Sequence, residues 1–368
     1  MNQIILTASF LIPLILSVVI LYNSKGNFPK QIMGWSMVNA AGVFIANYFY
    51  FLEEFRTYQY LHSIHVALVL FIYPSIYVYV LYLTQQKSKT SPIIHFVPGL
   101  FFLLLYIIFF DIKFSIPERI NYLSTYRDNS LVTTDKYWLV NWIRMFNVAA
   151  IVGSVVLYST SIIRLTGKYN QRLYTELSNA EEYRISWLNK ANVALIVVAV
   201  VSVLFYVVNP FSIENDEFLI LSMFVMSVFI WLMGIWGNAQ KYIELPENVQ
   251  DVNPALPDQE DTDLILKLQS IMTKEQVYKQ SDLKLDDLAR LAGTNRSYVS
   301  RAINQATGSN FNQFINQYRI EEAKKLLTDK KNKLKMNTVA IDAGFGSVSS
   351  FRRAFLKEVG TTPEKWNK

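Results

Sequence analysis

The feature that most constrains this chain is a series of apolar stretches, each long enough to cross a lipid bilayer as a helix. Seven of them lie near 4–22, 31–51, 61–83, 93–110, 137–160, 191–208 and 217–236. The first lacks a basic n-region and a small-residue cleavage site, so we expect a retained span rather than a signal peptide. We therefore predict an all-α fold that begins with a seven-helix transmembrane bundle.

The composition agrees with a membrane protein that has a soluble end. Only 17% of the residues are charged, against about 25% in a typical soluble protein, and the mean hydropathy is +0.20. The chain has no cysteine, which excludes disulfide and thiolate chemistry. Its three histidines, His62, His65 and His95, cannot build a Cys/His zinc site. We expect neither a metal nor a cofactor.

Lysine and arginine in the connecting loops set the expected orientation. Loops 23–30, 84–92 and 161–190 carry nine of these cations, whereas the alternate loops carry five. By the positive-inside rule the first set is cytoplasmic, so the N-terminus is outside and the C-terminus inside. The expected location is the cytoplasmic (inner) membrane of a bacterium, crossed several times, with the C-terminal domain in the cytoplasm.

The remainder of the chain divides by charge. Residues 238–262 hold one lysine against six acidic residues and include three prolines, a composition that predicts an extended tether. Residues 263–368 hold 19 lysines and arginines against 11 acidic residues, a net charge of +8. We therefore expect a seven-span sensor domain in 1–237, the tether in 238–262, and a basic domain in 263–368 that suits phosphate neutralisation.

The basic part contains one short pattern twice. Each copy is a short helix with apolar periodicity, a turn with a glycine, and a second helix with arginine and serine on one face. The copies lie in 285–304 and 338–357. This is how a helix-turn-helix looks in sequence. Between them, 311–328 has helical apolar spacing and predicts a helix that ties the two units together.

The second helix of each copy has an apolar face and a polar face. The apolar positions expected in the core are Val299, Ala302, Ile303 and Ala306 in the first copy, and Phe351 and Phe355 in the second. The outward positions are Ser297, Ser300, Arg301 and Asn304 in the first, and Val348, Ser349, Arg352 and Arg353 in the second. Arginine can reach guanine edges or phosphates, while serine and asparagine make shorter contacts. Asn295 is expected to cap the first of these helices.

Together these segments resemble the DNA-binding domain of AraC/XylS-type transcriptional regulators. The residues that carry the resemblance lie in 285–308, 312–323, 343–347, 351–355 and 360–363, within about the last 105 residues. The resemblance implies a seven-helix bipartite fold, with base contacts from the outward positions of both second helices. At Ser297 and Val348 the chain lacks the larger polar or aromatic groups that family members often carry.

Polar and ionisable side chains inside spans are costly in lipid and point to function by default. Arg144 lies on the outer side of the fifth predicted span and His65 on the outer side of the third. With Asn39, Asn47 and Asn147 they are candidates to line an outward-facing pocket for an anionic or polar ligand. The alternatives are that Arg144 extends to the lipid headgroups and that His65 is a hydrogen-bonded packing residue.

Two predicted loops are long. Loop 111–136 is either a passive connector or a lid over an external pocket. Loop 161–190 has mixed charge and helical apolar spacing. It packs either on the DNA-binding part or on a second subunit, or else it forms an interfacial helix anchored by Trp187.

The sequence therefore predicts a membrane-anchored one-component transcription regulator. Two helix-turn-helix units bind DNA sequence-specifically, under control of a signal sensed by the membrane domain. Expected partners are double-stranded DNA, the lipid bilayer, a second copy of the chain in a homodimer, RNA polymerase, and an unknown small-molecule or membrane signal. Phosphate-binding-loop, zinc-protease, nucleophile-elbow and kinase motifs are lacking, so we do not expect an enzyme. The alternative is a transporter or receptor with an appended DNA-binding tail.

Overall fold

The computed structural model describes residues 2–85, 90–128, 135–208, 216–245, 259–328 and 334–366. Within these residues the regular structure is helical, and one isolated antiparallel bridge joins Leu177 to Lys284. The predicted all-α class is therefore confirmed for the described residues. The chain divides into two compact units, one of residues 1–166 and 185–240, the other of residues 167–184 and 241–368.

The first unit contains the long apolar helices. They are α1 (Asn2–Tyr22), α2 (Phe28–Phe51), α3 (Phe55–Leu83), α4 (Val97–Tyr106), α5 (Ile116–Asp128), α6 (Trp138–Glu176), α7 (Trp187–Val208) and α8 (Asp216–Ala239). A 3₁₀ segment precedes α4 and a π-helical turn follows it. The last residues of α6, from 167 onward, belong to the second unit.

Five helical segments of the described residues are long and apolar enough to cross a membrane. They are Gln3–Tyr22, Phe55–Leu83, Pro92–Ile112, Asp135–Glu176 and Ile220–Ala239. The predicted stretches 31–51 and 191–208 also fold as helices, α2 and α7, but are not among the five. Helix α2 carries Lys30, Asn39 and Asn47, which reduce its hydropathy, and packs against α1 and α3. The bundle of seven spans therefore stays a prediction.

Two regions predicted as loops contain helix. Helix α6 continues past residue 160 to Glu176, because Ile162, Tyr169 and Leu173 recur at helical spacing and are buried. The predicted loop 111–136 contains α5. Local spacing alone did not indicate α5, because its first turn is organised by polar contacts rather than by apolar periodicity.

Those polar contacts centre on Glu118. The backbone N–H and the hydroxyl of Ser115 donate to Glu118 Oε2 at 2.8 and 2.9 Å. Lys136 donates to Glu118 Oε1, and this bond, followed by those from Ser115, lowers the pKa of Glu118 to about 2. Asp111 pairs with Arg119 at 3.4 Å. The described residues around α5 are thus held in a defined conformation by charged groups on both sides of that helix.

The second unit contains a bipartite set of helices. They are α9 (Gln259–Glu275), α10 (Leu285–Ala292), α11 (Arg296–Thr307), α12 (Phe311–Thr328), α13 (Met336–Asp342), α14 (Val348–Val359) and α15 (Pro363–Trp366). These seven, counted in the described residues, match the fold that the family resemblance implies. Helix α9 begins four residues before the predicted start at 263, and the part of the predicted tether in 246–258 lies outside the described residues.

Helix α12 joins two hydrophobic cores. Its first half contributes Phe311, Phe314 and Ile315 to a core shared with α9, α10 and α11. Its second half contributes Ile320, Ala323 and Leu327 to a core shared with α13 and α14. The predicted connecting helix in 311–328 is therefore confirmed. A single rigid element holds both helix-turn-helix units, so their recognition helices have a fixed spacing.

Candidate nucleic-acid interface

The first helix-turn-helix is formed by α10 and α11. Helix α10 ends at Gly293, whose φ of +67° lies in the left-handed region that favours glycine. Asn295 caps α11, as predicted, because its side-chain oxygen accepts hydrogen bonds from the N–H groups of Ser297 and Tyr298 at 3.0 and 3.1 Å. Together the left-handed turn and the cap fix the direction in which α11 leaves α10.

The predicted DNA-facing positions of α11 are accessible to different degrees. Asn304 is exposed, whereas Ser297, Ser300 and Arg301 are half-buried. The Arg301 guanidinium lies over the Tyr298 ring, 4.8 Å from its centroid, a cation–π contact that orients the side chain. On the other face Val299, Ala302 and Ile303 are buried, as predicted. The prediction for Ala306 is wrong: it is exposed, since it lies in the last turn of the helix, beyond the core.

The second helix-turn-helix is formed by α13 and α14. Its turn contains Gly344, whose φ is +92°. Ser347 caps α14 and accepts a hydrogen bond from the Ser350 N–H at 3.2 Å. Phe351 and Phe355 are fully buried, which confirms the predicted core pair. The second helix-turn-helix thus repeats the left-handed glycine and the polar N-cap of the first helix-turn-helix.

The predicted contact positions of α14 fall into two groups. Ser349 is exposed, but Val348 is half-buried and packs against the second core instead of facing fully outward. Arg352 Nε lies 2.6 Å from Glu364 Oε1, and Arg353 Nε lies 3.1 Å from Glu181 Oε2. Both arginines are more than half exposed, so these ion pairs are weak and can exchange for other anions.

Two arginines that sequence reasoning did not single out, Arg296 and Arg319, make several polar contacts each. Arg296, the first residue of α11, pairs with Glu176, and its Nε lies 3.9 Å from Asp286 Oδ1. Arg319 of α12 is only 1% exposed. A signal for Arg319 was present in the sequence, because it stands four residues from both Ile315 and Ala323, on the apolar face of the helix.

The side chains proposed as a ligand site belong to the first unit. Asn39 Nδ2 donates to the Leu68 carbonyl at 3.1 Å, and His65 Nδ1 lies 3.0 Å from the Tyr58 hydroxyl. Asn147 is buried and Arg144 is half-buried. The bonds of Asn39 and His65 fit a packing role as well as a ligand role, so the pocket stays a prediction.

A small cavity described in this unit lies elsewhere, between α2, α3 and α8. It measures about 20 Å³ and is lined mainly by methionine and isoleucine, including Met33, Met37, Ile76 and Met233. It has room for about one water molecule, so it does not match the predicted pocket for a polar ligand.

Known proteins that resemble this chain match its C-terminal part. A family model described as a helix-turn-helix domain matches residues 288–368. An uncharacterised HTH-type transcriptional regulator from Staphylococcus aureus (strain COL) is 29% identical over 100 residues, which are 27% of this chain and 13% of that protein. Another, from Pseudoalteromonas carrageenovora, is 31% identical over 88 residues, 24% of this chain and 51% of that protein. The similarity therefore spans only part of these relatives.

Two solved structures each match less than a third of the chain. The C-terminal domain of the two-component response regulator yesN from Fusobacterium nucleatum is 27% identical and covers 29% of this chain and 99% of its own, with a TM-score of 0.26. The C-terminal domain of AraT, a response regulator from Geobacillus stearothermophilus, is 28% identical and covers 28% of this chain and 82% of its own, with a TM-score of 0.25.

The two capped helix-turn-helix units, the matching family model and the similar regulators agree. The C-terminal part of this chain is an AraC-type helix-turn-helix domain.

Proposed function

We propose that this protein is a membrane-anchored one-component transcription regulator. It binds specific DNA sequences through α11 and α14 in response to a signal received by its membrane part. The observation that carries the proposal is the pair of recognition helices held on the single helix α12, within a part of the chain whose net charge is +8. Two recognition helices on one rigid support suit successive major-groove segments of one duplex, about 34 Å apart.

The DNA contacts are tested by removing one arginine from each recognition helix. We expect Arg301→Ala and Arg353→Ala each to weaken binding to the preferred duplex by about 1–3 kcal/mol and to relax specificity at one base position. The measurement is fluorescence anisotropy of the full-length chain in nanodiscs, with a duplex selected by that chain from a random library and with single-base variants of it.

The matched control is Arg290→Ala. Arg290 lies on α10 and pairs with Asp287, and its side chain is 77% exposed, so this change removes one cation outside both recognition helices. A loss in Arg301→Ala no greater than in Arg290→Ala would place Arg301 away from the interface. An equal loss for every duplex would assign the arginine to phosphates instead of bases.

Membrane anchoring is supported by the five apolar helical segments and by the lysine and arginine bias of the loops. Five spans and seven spans make the same prediction for the two ends of the chain, because any odd number puts them on opposite sides. They differ at residue 85, which follows three of the seven predicted spans and is then inside, but follows two of the five apolar segments and is then outside. The proposed location is the inner membrane, with the N-terminus outside and the DNA-binding domain in the cytoplasm. Topology reporters fused after residues 85 and 368 test this. A C-terminal reporter that is active only outside the cytoplasm would contradict the proposal.

We place signal reception in the membrane part, with Arg144, His65, Asn39 and Asn147 as candidate ligand contacts. The signal shifts the population between two arrangements of the bundle or of a homodimer. In a dimer, two DNA-binding domains gain avidity, and the bound form can then contact RNA polymerase. An Arg144→Ala variant that kept every promoter response intact would remove Arg144 from the candidate contacts.

The second candidate function is a transporter or receptor with an appended DNA-binding tail. The observation that supports this alternative is the size of the first unit, which contains the long apolar helices and most of the chain. Flux of a solute into proteoliposomes that hold the purified chain would favour the transporter. We do not propose an enzymatic activity.

A further inference from the structure

The turn that follows α6 is docked on the DNA-binding domain within the second unit. We call residues 176–182 the docking segment. Its Leu177 forms the antiparallel bridge with Lys284, and the Ser178 N–H donates to the Leu283 carbonyl at 3.1 Å. Leu177 and Ala180 are 1% and 0% exposed, so the segment is packed into the surface instead of lying on it.

Two side chains of α12 recognise the backbone of this segment. Asn312 Nδ2 donates to the carbonyls of Leu177 and Ser178 at 3.1 and 2.7 Å. Arg319 donates from Nη1 to the Ser178 carbonyl at 3.2 Å and from Nη2 to the Ser178 hydroxyl at 3.0 Å. Because these groups are buried and would cost free energy if left without partners, they form a specific anchor for residues 177 and 178.

The anchored segment places its carboxylates against the two helix-turn-helix units. Glu176 pairs with Arg296, the first residue of α11. Glu181 Oε2 lies 3.1 Å from Arg353 Nε on α14. Glu182 lies against Gly346, in the turn before α14, where a side chain would collide with its carboxylate. The carboxylates of this one segment thus lie against the N-terminus of α11 and against both the N-terminus and the side of α14.

Glu181 is held in place by two residues that flank the docking segment. It accepts a hydrogen bond from the Tyr174 hydroxyl, and Arg184 Nη1 lies 3.5 Å from it. A cavity of about 440 Å³ opens between the segment and helices α12 and α14, and Glu181, Arg353 and Lys357 are among the residues that line it. The Glu181 side chain is therefore fixed by polar contacts at the edge of open space.

We propose that the docking segment is a built-in competitor of DNA. Glu181 occupies Arg353, and Glu176 and Glu182 place negative charge at the helix N-termini where DNA phosphates bind. DNA binding to α14 then requires Glu181 to leave Arg353, while the anchor at residues 177 and 178 stays in place. The inference rests on the proposed function, because it assumes that Arg353 meets DNA.

The arrangement gives the membrane part a direct connection to this contact. Helix α6 runs without interruption from Trp138 to Glu176 and forms all but the first three residues of Asp135–Glu176, one of the five segments able to span a membrane. The docking segment is its immediate continuation. A rotation at the end of α6 moves Tyr174, whose hydroxyl donates to Glu181, while the anchor stays in place. A signal received in the membrane can therefore change the fraction of chains in which α14 is available.

The test is Glu181→Gln in the full-length chain in nanodiscs, with binding measured on the selected duplex. We expect binding to tighten about two- to fivefold, the range for releasing one partly exposed ion pair. Tyr174→Phe leaves all charges unchanged but removes the bond that positions Glu181, so we expect a smaller change in the same direction. Thermal unfolding and circular dichroism of each variant establish that the fold is kept.

The matched control is Glu321→Gln. It removes the same charge from α12, where Glu321 is exposed and pairs with Lys324 at 2.6 Å, outside the recognition helices. A gain in Glu181→Gln equal to that in Glu321→Gln would reduce the effect to net charge and overturn the proposal.

A double-mutant cycle gives the decisive comparison. In an Arg353→Ala background the gain from Glu181→Gln should disappear, because the ion pair is already absent. Persistence of the full gain would overturn the proposed competition at Arg353. The failure of the proposed function looks different: wild-type chain and all variants would then ignore every duplex at low salt.

Discussion

Replacement of Arg319 by alanine is expected to lower the free energy of unfolding of the DNA-binding part by about 3–5 kcal/mol, the range for breaking a buried, hydrogen-bonded charged group. Arg319 Nε donates to the Tyr278 carbonyl and Nη2 to the Gln280 carbonyl, both at 2.7 Å, besides the bonds to Ser178. Alanine leaves the buried Tyr278 carbonyl without its Arg319 donor and also opens a cavity. Hydrogen exchange of α12 amides in the full-length chain measures the loss.

Arg319 keeps its positive charge at neutral pH. Burial lowers the pKa of Arg319 to about 9, and the nearby Asp282 opposes this shift. Because that value is above neutral pH, the guanidinium is a cation at pH 7 and donates all of its bonds. Its ring contact, 5.7 Å from the centroid of Phe345, adds a cation–π interaction with the second core.

Two control variants separate geometry from charge. Arg319→Lys keeps the cation but not the planar fork, so we expect it to recover only part of the stability. Lys325→Ala removes a cation of the same helix whose side chain is 76% exposed, and it should change stability by less than about 0.5 kcal/mol. If Arg319→Ala behaved like Lys325→Ala, the buried network would not be the link between the docking segment and α12.

Features that depend on local sequence were predictable. The recognition helices, the cap of the first one at Asn295, and the core positions Phe351 and Phe355 follow from side-chain chemistry and spacing within a few residues. The connecting helix in 311–328 follows from the same rule. Ala306 was predicted to be buried but is exposed, and Val348 was predicted to face outward but is half-buried. Periodicity shows which face of the helix a residue lies on, but not how far the hydrophobic core extends beneath that face.

Features that depend on distant partners were not predictable. Asn312 and Ser178 are 134 residues apart in sequence, and nothing in the spacing around either one indicates the other. The same holds for Glu181 and Arg353, whose pairing changes how the predicted DNA-facing surface is interpreted. The sequence supplied the mixed charge of loop 161–190 and left open whether it packs on the DNA-binding part, and the side-chain contacts of residues 176–182 favour that alternative.

Gly344→Ala is expected to destabilise the second helix-turn-helix by about 3 kcal/mol or more. Gly344 has a φ of +92°, a conformation that costs a residue with a Cβ about 1–3 kcal/mol. A Cβ there would also collide with the Tyr278 carbonyl and lie 2.7 Å from Lys279 Cα, so the backbone itself must move. The Tyr278 carbonyl is the one that accepts from Arg319, and the shift would therefore disturb the buried network as well. Chemical unfolding of the full-length chain, followed by a fluorophore on α14, measures the change.

Gly360→Ala provides the matched control, because Gly360 has a similar left-handed backbone conformation but an added Cβ would not collide with any atom. Gly360 has a φ of +80°, and a Cβ there would meet no atom within 4 Å. Its substitution should therefore cost only the conformational strain, and the difference between the two variants isolates the close approach of Gly344 to residues 278 and 279. That approach joins the turn of the second helix-turn-helix to the core of the first helix-turn-helix. Equal losses in the two variants would show that backbone strain alone causes the loss and that the two helix-turn-helix motifs do not depend on this contact. A larger loss in Gly344→Ala, together with weaker DNA binding at a temperature where α11 is still folded, is the expected result.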